Sequence, residues 1–192
     1  LHRIKFLDKR TGYVAGTGSD LHPTGVFSTE DGGITWKPIG GESKGGWLAA
    51  DFGPDQLGVL GGREGSLMAL RPQGLLKAEI DGLGRRGVRA VQLFGRQAWA
   101  VGEGGLVLTS NNSAGLKWSY ADVQLPPEVA SAWDFHALHF VGEHGWIVGR
   151  PGSVVLHTWD KGKSWQVQQT GQSLPLHGIH FLNERQGWAV GD

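Results

Sequence analysis

The sequence predicts an all-β chain assembled from one supersecondary unit repeated along its length, and three observations carry that expectation. Glycine makes up 33 of the 192 residues and there are nine tryptophans, a composition that suits short strands and tight turns rather than helices. The strings TGYVAGT (Thr11–Thr17), QAWAVGE (Gln97–Glu103), HGWIVGR (His144–Arg150) and QGWAVGD (Gln186–Asp192) are copies of one element, with a weaker copy, LGVLGGR (Leu57–Arg63), among them. Taking Tyr13, Val59, Trp99, Trp146 and Trp188 as the equivalent position, the spacings are 46, 40, 47 and 42. A period in the low forties is that of a four-stranded blade, so the predicted fold class is a β-propeller of four-stranded antiparallel blades.

In this register the chain is a single propeller segment, residues 1–192, with units at roughly 1–43, 44–86, 87–131, 132–172 and 173–192. The fourth unit shows the elements most clearly. FHALHFV (Phe135–Val141) is its innermost strand, GWIVG (Gly145–Gly149) the second, VVLHT (Val154–Thr158) the third and SWQVQQT (Ser164–Thr170) the outer one. Turn glycines bound these short apolar runs, as hairpins require. LPPE (Leu125–Glu128) and LPLH (Leu174–His177) read as linkers between units, because proline punctuates strands. No stretch predicts an amphipathic helix. The last unit holds only two strands, giving about four and a half blades. Propellers normally close to protect their strand edges. The expectation is therefore a piece of a larger ring, its missing blades supplied by the rest of the same polypeptide or by another subunit.

A second motif recurs between the third and outer strands. STEDGGITW (Ser28–Trp36) and HTWDKGKSW (His157–Trp165) share the skeleton Thr-x-Asp-x-Gly-x-Ser/Thr-Trp, carried by Thr29, Asp31, Gly33, Thr35 and Trp36 and by Thr158, Asp160, Gly162, Ser164 and Trp165. Each residue type has a turn-building role. The aspartate accepts backbone N–H groups a few residues on, the glycine reaches positive φ without steric cost, and the tryptophan covers the hairpin. The third unit has TSNNSAGLKW, with Asn111 in the aspartate's place and two extra residues before Trp118. The second, LMALRPQGLL, has no tryptophan. A catalytic group would not wander in this way between copies, whereas a structural staple can.

The bulk numbers exclude little else. Eighteen basic and eighteen acidic residues balance, so no electrostatic argument points to nucleic acid or to an anionic membrane. There is no cysteine, hence no disulfide and no thiolate metal site. No apolar run approaches the ~18 residues of a membrane span, so no membrane insertion is expected.

The turn motif resembles the Asp box, or bacterial neuraminidase repeat. GWAVG followed by that turn is similar to the photosystem II assembly and stability factor family of β-propellers. The resemblance implies a seven-bladed, non-catalytic ring, often extracytoplasmic, that binds other proteins and needs no cofactor. The sialidases that also carry Asp boxes would imply an arginine cluster, an acid carboxyl and a Tyr–Glu pair. Only Tyr13 and Tyr120 are present, neither with a glutamate partner evident in the sequence. The leading expectation is thus a scaffold for a protein partner. The alternatives are a carbohydrate-active module, either a glycoside hydrolase or a glycan binder with Trp47 or Trp133 stacking on sugars, and the recognition domain of a larger protein.

Two surface patterns follow from the register. Arg63 and Arg150, in turns after second strands, and Arg85, Arg86 and Arg89, in the connection GLGRRGVR, fall on one rim. Guanidinium groups there would suit carboxylates of a partner. Aligning the innermost strands places His2, Arg89, His136 and His177 in one column and Lys5, His139 and His180 in another. A polar lining for a hydrated central channel is the expected meaning. A histidine metal site is the other reading, but no metal is assigned.

Overall fold

Each repeated unit folds as an antiparallel meander in which sequence order equals spatial order. The computed structural model describes residues 1–41 and 45–192, and the backbone alone of Pro127. The expected boundary at 43/44 lies outside the described residues. The first sheet runs β1 (Arg3–Phe6), β2 (Gly12–Ala15), β3 (Val26–Thr29) and β4 (Lys37–Pro38). The second contains β5 (Trp47–Phe52), β6 (Gly58–Gly62), β7 (Leu67–Arg71) and β8 (Gly74–Lys77). The third contains β9 (Val88–Phe94), β10 (Gln97–Gly102), β11 (Val107–Ser110) and β12 (Ser119–Tyr120). The fourth contains β13 (Asp134–Val141), β14 (His144–Arg150), β15 (Val154–Thr158) and β16 (Gln166–Gln169). A two-stranded sheet of β17 (Leu176–Asn183) and β18 (Gln186–Gly191) follows. The chain is a partial β-propeller of four-stranded blades.

The first strands β1, β5, β9, β13 and β17 contact one another in series and form the inner layer. Second strands are buried almost end to end: every residue of β2 and β6 is buried. Their opening glycine has a physical cause. A Cβ on Gly145 would stand 2.2 Å from the Phe140 ring, and one on Gly187 2.4 Å from Phe181. The innermost strand thus lays an aromatic ring across the second strand, and only glycine leaves room. That ring then stacks on the aromatic of the preceding blade: Tyr13 on Phe52 at 4.8 Å, Trp99 on Phe140 at 4.7 Å, Trp146 on Phe181 at 3.5 Å. The core therefore lies between the sheets, as a series of inter-blade clusters.

The linker at 125–128 contains a short helix, α1 (Pro127–Ser131), opened by proline in its first turn and too short to show amphipathic periodicity. No helix among the described residues is long and apolar enough to cross a membrane.

Candidate functional site: the mouth of the inner channel

A β-bulge recurs at one end of the inner strands. Register shifts fall between Trp47 and Ala49, between Val88 and Ala90 opposite the Val101/Gly102 step, between Phe135 and Ala137, and between Leu176 and Gly178. The skipped residues are Leu48, Arg89, His136 and His177. A bulge leaves one residue outside the ladder and re-aims its side chain. These four side chains, with Arg3 and Arg150, line a single cavity of about 440 Å³. In the first blade His2 is the equivalent residue, since its N–H bonds the Ala15 carbonyl just ahead of the Arg3–Ala15 pair.

The mouth is cationic, and two of its three arginines are held by carboxylates. Arg89 bonds Glu103 at 2.7 Å, and the second Glu103 oxygen accepts the Gly87 N–H at 2.8 Å. Arg150 donates from Nε and Nη2 to Asp134 at 3.0 and 2.6 Å, and Asp134 also accepts the Gly104 N–H at 3.0 Å. Burial pushes the Asp134 carboxyl up, but the Gly104 N–H and Arg150 outweigh it and hold the group below its usual value. Arg89 Nε is buried without a partner among the described residues. The rings of His136 and His177 stack at 4.9 Å. His136 Nδ1 lies 3.0 Å from both the Leu176 carbonyl and His177 Nδ1, and His177 Nε2 lies 3.1 Å from Asp192. Burial is the main cause that lowers the His136 pKa, so the ring is neutral at pH 7.

The second aligned column has a different role. Lys5, Asp51, Gln92, His139 and His180 occupy equivalent positions opposite Tyr13, Val59, Trp99, Trp146 and Trp188. Four of them reach the next blade. Asp51 accepts the Leu93 N–H at 2.7 Å, Gln92 the Phe140 N–H at 2.6 Å, and His139 Nδ1 the Phe181 N–H at 3.2 Å. Lys5 bonds Asp51 at 2.6 Å. These side chains clamp blade to blade. Asp51 and Gln92 escaped the sequence reading because their side-chain types differ from those of the histidines in the same column.

The basic rim divides. Arg89 belongs to β9 rather than to a connection, and only Arg89 and Arg150 reach the mouth, where Arg3 and Leu48 join them unforeseen. Arg85 pairs with Glu64 at 2.9 Å on the exterior. Arg86 bonds the carbonyls of Leu83 and Gly82 and lies over the Tyr120 ring at 5.2 Å. Arg63 is exposed in the β6–β7 turn.

The turn motifs are closed by their own polar atoms. Asp31 accepts the Thr29 hydroxyl at 2.8 Å and the Thr35 N–H at 2.9 Å, while Thr29 Oγ1 accepts the Gly33 N–H at 2.9 Å. Asp160, Thr158, Gly162 and Ser164 repeat the pattern. The Thr35 and Ser164 groups hold their carboxyls down to about 2. In the third blade Asn111 does not take the aspartate's place. It accepts from Gln97, and the inserted Ser113 holds the turn through Ser110 and the Lys117 N–H. Of the two tryptophans offered for sugar stacking, Trp47 is excluded by burial. Trp47 is only 1% exposed, with its N–H on the Thr24 carbonyl. Trp133 is half-buried, edge-on to Phe135.

A family model described as photosynthesis system II assembly factor YCF48 matches residues 93–184. The chain resembles the photosystem II assembly factors. The photosystem II assembly protein Ycf48 of Synechococcus sp. (strain JA-2-3B'a(2-13)) is 25% identical over 174 residues, 86% of this chain and 50% of that protein. The chloroplastic stability/assembly factor HCF136 of Oryza sativa subsp. japonica is 34% identical over 62 residues, 29% of this chain and 15% of that one. Among solved structures, YCF48 bound to D1 peptide aligns with TM-score 0.69 at 18% identity, covering 98% of this chain and 60% of that one. An ancestral GH74 enzyme aligns at 0.74 with 15% identity, covering 99% of this chain and 27% of that one. At these identities the structural likenesses establish the propeller fold. This assembly-factor-like chain spans half the length of the cyanobacterial relative.

Proposed function

We propose that this propeller segment is a non-catalytic scaffold that holds a protein partner, taking an anionic group of that partner at the channel mouth. The observation that carries the reading is the recurrent bulge, which delivers Arg89, His136 and His177 beside Arg3 and Arg150 at one opening. Guanidinium groups bind carboxylates through paired N–H donors. A peptide is the ligand class suggested by the solved relative with bound D1 peptide. Arg63, Arg85 and Arg86 would extend the basic surface outward from the mouth. The non-enzymatic reading is supported by the state of the mouth's carboxylates. Glu103 and Asp134 each accept an arginine and a backbone N–H, which leaves their oxygens occupied rather than poised for proton transfer. The extracytoplasmic location stays a proposal resting on the family resemblance, tested by the compartment of a tagged full-length protein.

The test is capture of a short peptide ending in a free carboxylate, compared with its C-terminal amide, by wild type and by Arg89→Gln and Arg150→Gln. Preference for the free carboxylate, weakened in both variants and by added salt, is the expected result. Equal capture of acid and amide by all three proteins would remove the mouth from the binding surface. Hydrolysis of a chromogenic β-glucoside would instead favour the carbohydrate-active alternative, to which the GH74 likeness lends the fold.

A further inference from the structure

The blades are not equivalent on the side of the turn motifs. Thr29, Ser110 and Thr158 end their third strands buried, and each hydroxyl accepts a glycine N–H that anchors the turn. In the second blade that position is Leu70, which pairs with Gly58 as Thr158 pairs with Gly145. Leu70 has no hydroxyl to anchor a loop. The hairpin is cut to the tight turn Pro72–Gln73, where the other blades carry residues 30–36, 111–118 and 159–165.

The tryptophan that closes the motif is displaced as well. Trp118 donates its backbone N–H to the Glu79 carbonyl and Trp165 to Gln124 Oε1, both in the linker entering their blade. In the second blade Leu75 makes the equivalent bond to Gly40. The floor beneath is conserved within the molecule. Tyr13 stacks on Phe52 at 4.8 Å and 15°, as Trp99 stacks on Phe140 at 4.7 Å and 15° beneath Trp165. With a leucine for an indole and no loop above it, an open groove of about 900 Å³ lies between the first two blades, bordered by Pro54 and Pro72 over a floor that includes the buried Tyr13 and Leu70.

We propose that this groove receives an aromatic side chain carried on a basic peptide segment of another protein. The internal repeat supplies the shape argument, since the molecule fills the corresponding space elsewhere with its own indoles. Charge supplies the sign. The lining carries Asp8, Glu30 and Asp55 against Lys37 and Arg71. Lys37 is paired with Glu30 at 3.0 Å, and Arg71 is turned away to the carbonyls of Ser113 and Ala114 in the third blade. Asp8, whose Oδ1 takes the Arg10 and Thr11 N–H groups, and Asp55 are left without a cationic partner at the lip among the described residues. This face is distinct from the channel mouth, so the site stands or falls independently of the scaffold reading.

The experiment is a titration of the ¹⁵N-labelled intact chain with the amidated tripeptide Lys-Trp-Lys, followed by amide shifts. The expected result is shifts at Tyr13, Asp55, Gln73 and Gly74, with Lys-Ala-Lys at least about tenfold weaker for want of the ring. Asp55→Asn, an exposed change at φ +58 that asparagine tolerates, weakens Lys-Trp-Lys several-fold. Leu70→Thr combined with residues 159–165 in place of residues 71–75, the span between the equivalent positions, fills the groove and abolishes binding. Equal shifts with Lys-Ala-Lys, shifts confined to Arg89 and His136, an undiminished response in the Asp55→Asn protein, or no response up to about 5 mM would each overturn the proposal. So would the same shifts produced by a neutral cello-oligosaccharide while Lys-Trp-Lys produced none.

Discussion

Replacing Trp165 by alanine tests whether the turn tryptophans are structural keystones between blades. Trp165 is 8% exposed and meets Trp99 edge-on at 5.8 Å and Phe140 at 6.0 Å. Its indole N–H bonds the Gly162 carbonyl at 3.2 Å. Truncating a well-buried tryptophan costs about 3–5 kcal/mol, because the transfer term and the cavity left behind add. Trp36 occupies the same motif position but is only half-buried, with a single edge contact to Phe6 at 6.1 Å. Losing part of its apolar area and one aromatic pair costs about 1–2 kcal/mol. Urea unfolding followed by both far-ultraviolet circular dichroism and tryptophan fluorescence, with coincident transitions, gives both values. The expected order is Trp165→Ala well below Trp36→Ala, with unchanged m-values. Equal losses, or a Trp165→Ala loss within about 0.5 kcal/mol of zero, the range of an ordinary surface change, would refute the inter-blade role.

Three further outcomes follow from the same contacts. Asp31 and Asp160 titrate near 2 in the fold because the Thr35 and Ser164 groups bond the ionised form. Since an unfolded aspartate titrates near ~3.9, their contribution is present above about pH 4 and is lost as the pH falls toward ~2. Tm measured from pH 5 to 2 should fall, and less steeply in Asp160→Asn. The His139 pKa is lowered, first by burial and then by the neighbouring His180, and its Nδ1 accepts the Phe181 N–H. Its contribution is present above about pH 6.5 and declines below it. His139→Gln, copying Gln92 one blade earlier, should preserve stability at pH 7 and remove that part of the decline. Gly162→Ala places a methyl 2.2 Å from Trp99 at φ +83, costing about 2–4 kcal/mol. Gly171→Ala, at φ +79 with open space, costs only the left-handed term of about 1–2 kcal/mol. Equal chemical denaturation midpoints for the two would contradict the packing account.

The blade pattern was legible because it rests on local chemistry repeated in the chain. The Gly-aromatic opening of the second strands in the first, fourth and fifth units, the alternation of short strands with turn glycines and the Thr-x-Asp-x-Gly skeleton each satisfy a constraint within about a dozen residues. The four strands of the fourth unit accordingly fall where their apolar runs place them. The column that lines the shared cavity was legible for His136, His177 and Arg89, since alignment of inner strands needs only the period. Two local readings failed for local reasons. An insertion let Ser113 displace Asn111 in the third turn, and Trp47, at a blade entrance, turned inward onto the Thr24 carbonyl.

Contacts between blades were decided by the tertiary structure alone. The bulge that re-aims Arg89 and His136 is a property of strand pairing, and no residue type announces it. Whether Arg150 faces solvent or Asp134 depends on two strand ends meeting in space. Asp51 and Gln92 look like ordinary strand residues until the next blade brings an N–H within reach of each. The open groove beside Tyr13 exists only because a short hairpin in one blade faces the stacked aromatics of its neighbour. Repetition along the chain determined the unit, whereas packing between units, where sequence-distant groups share one space, determined the surfaces that could bind.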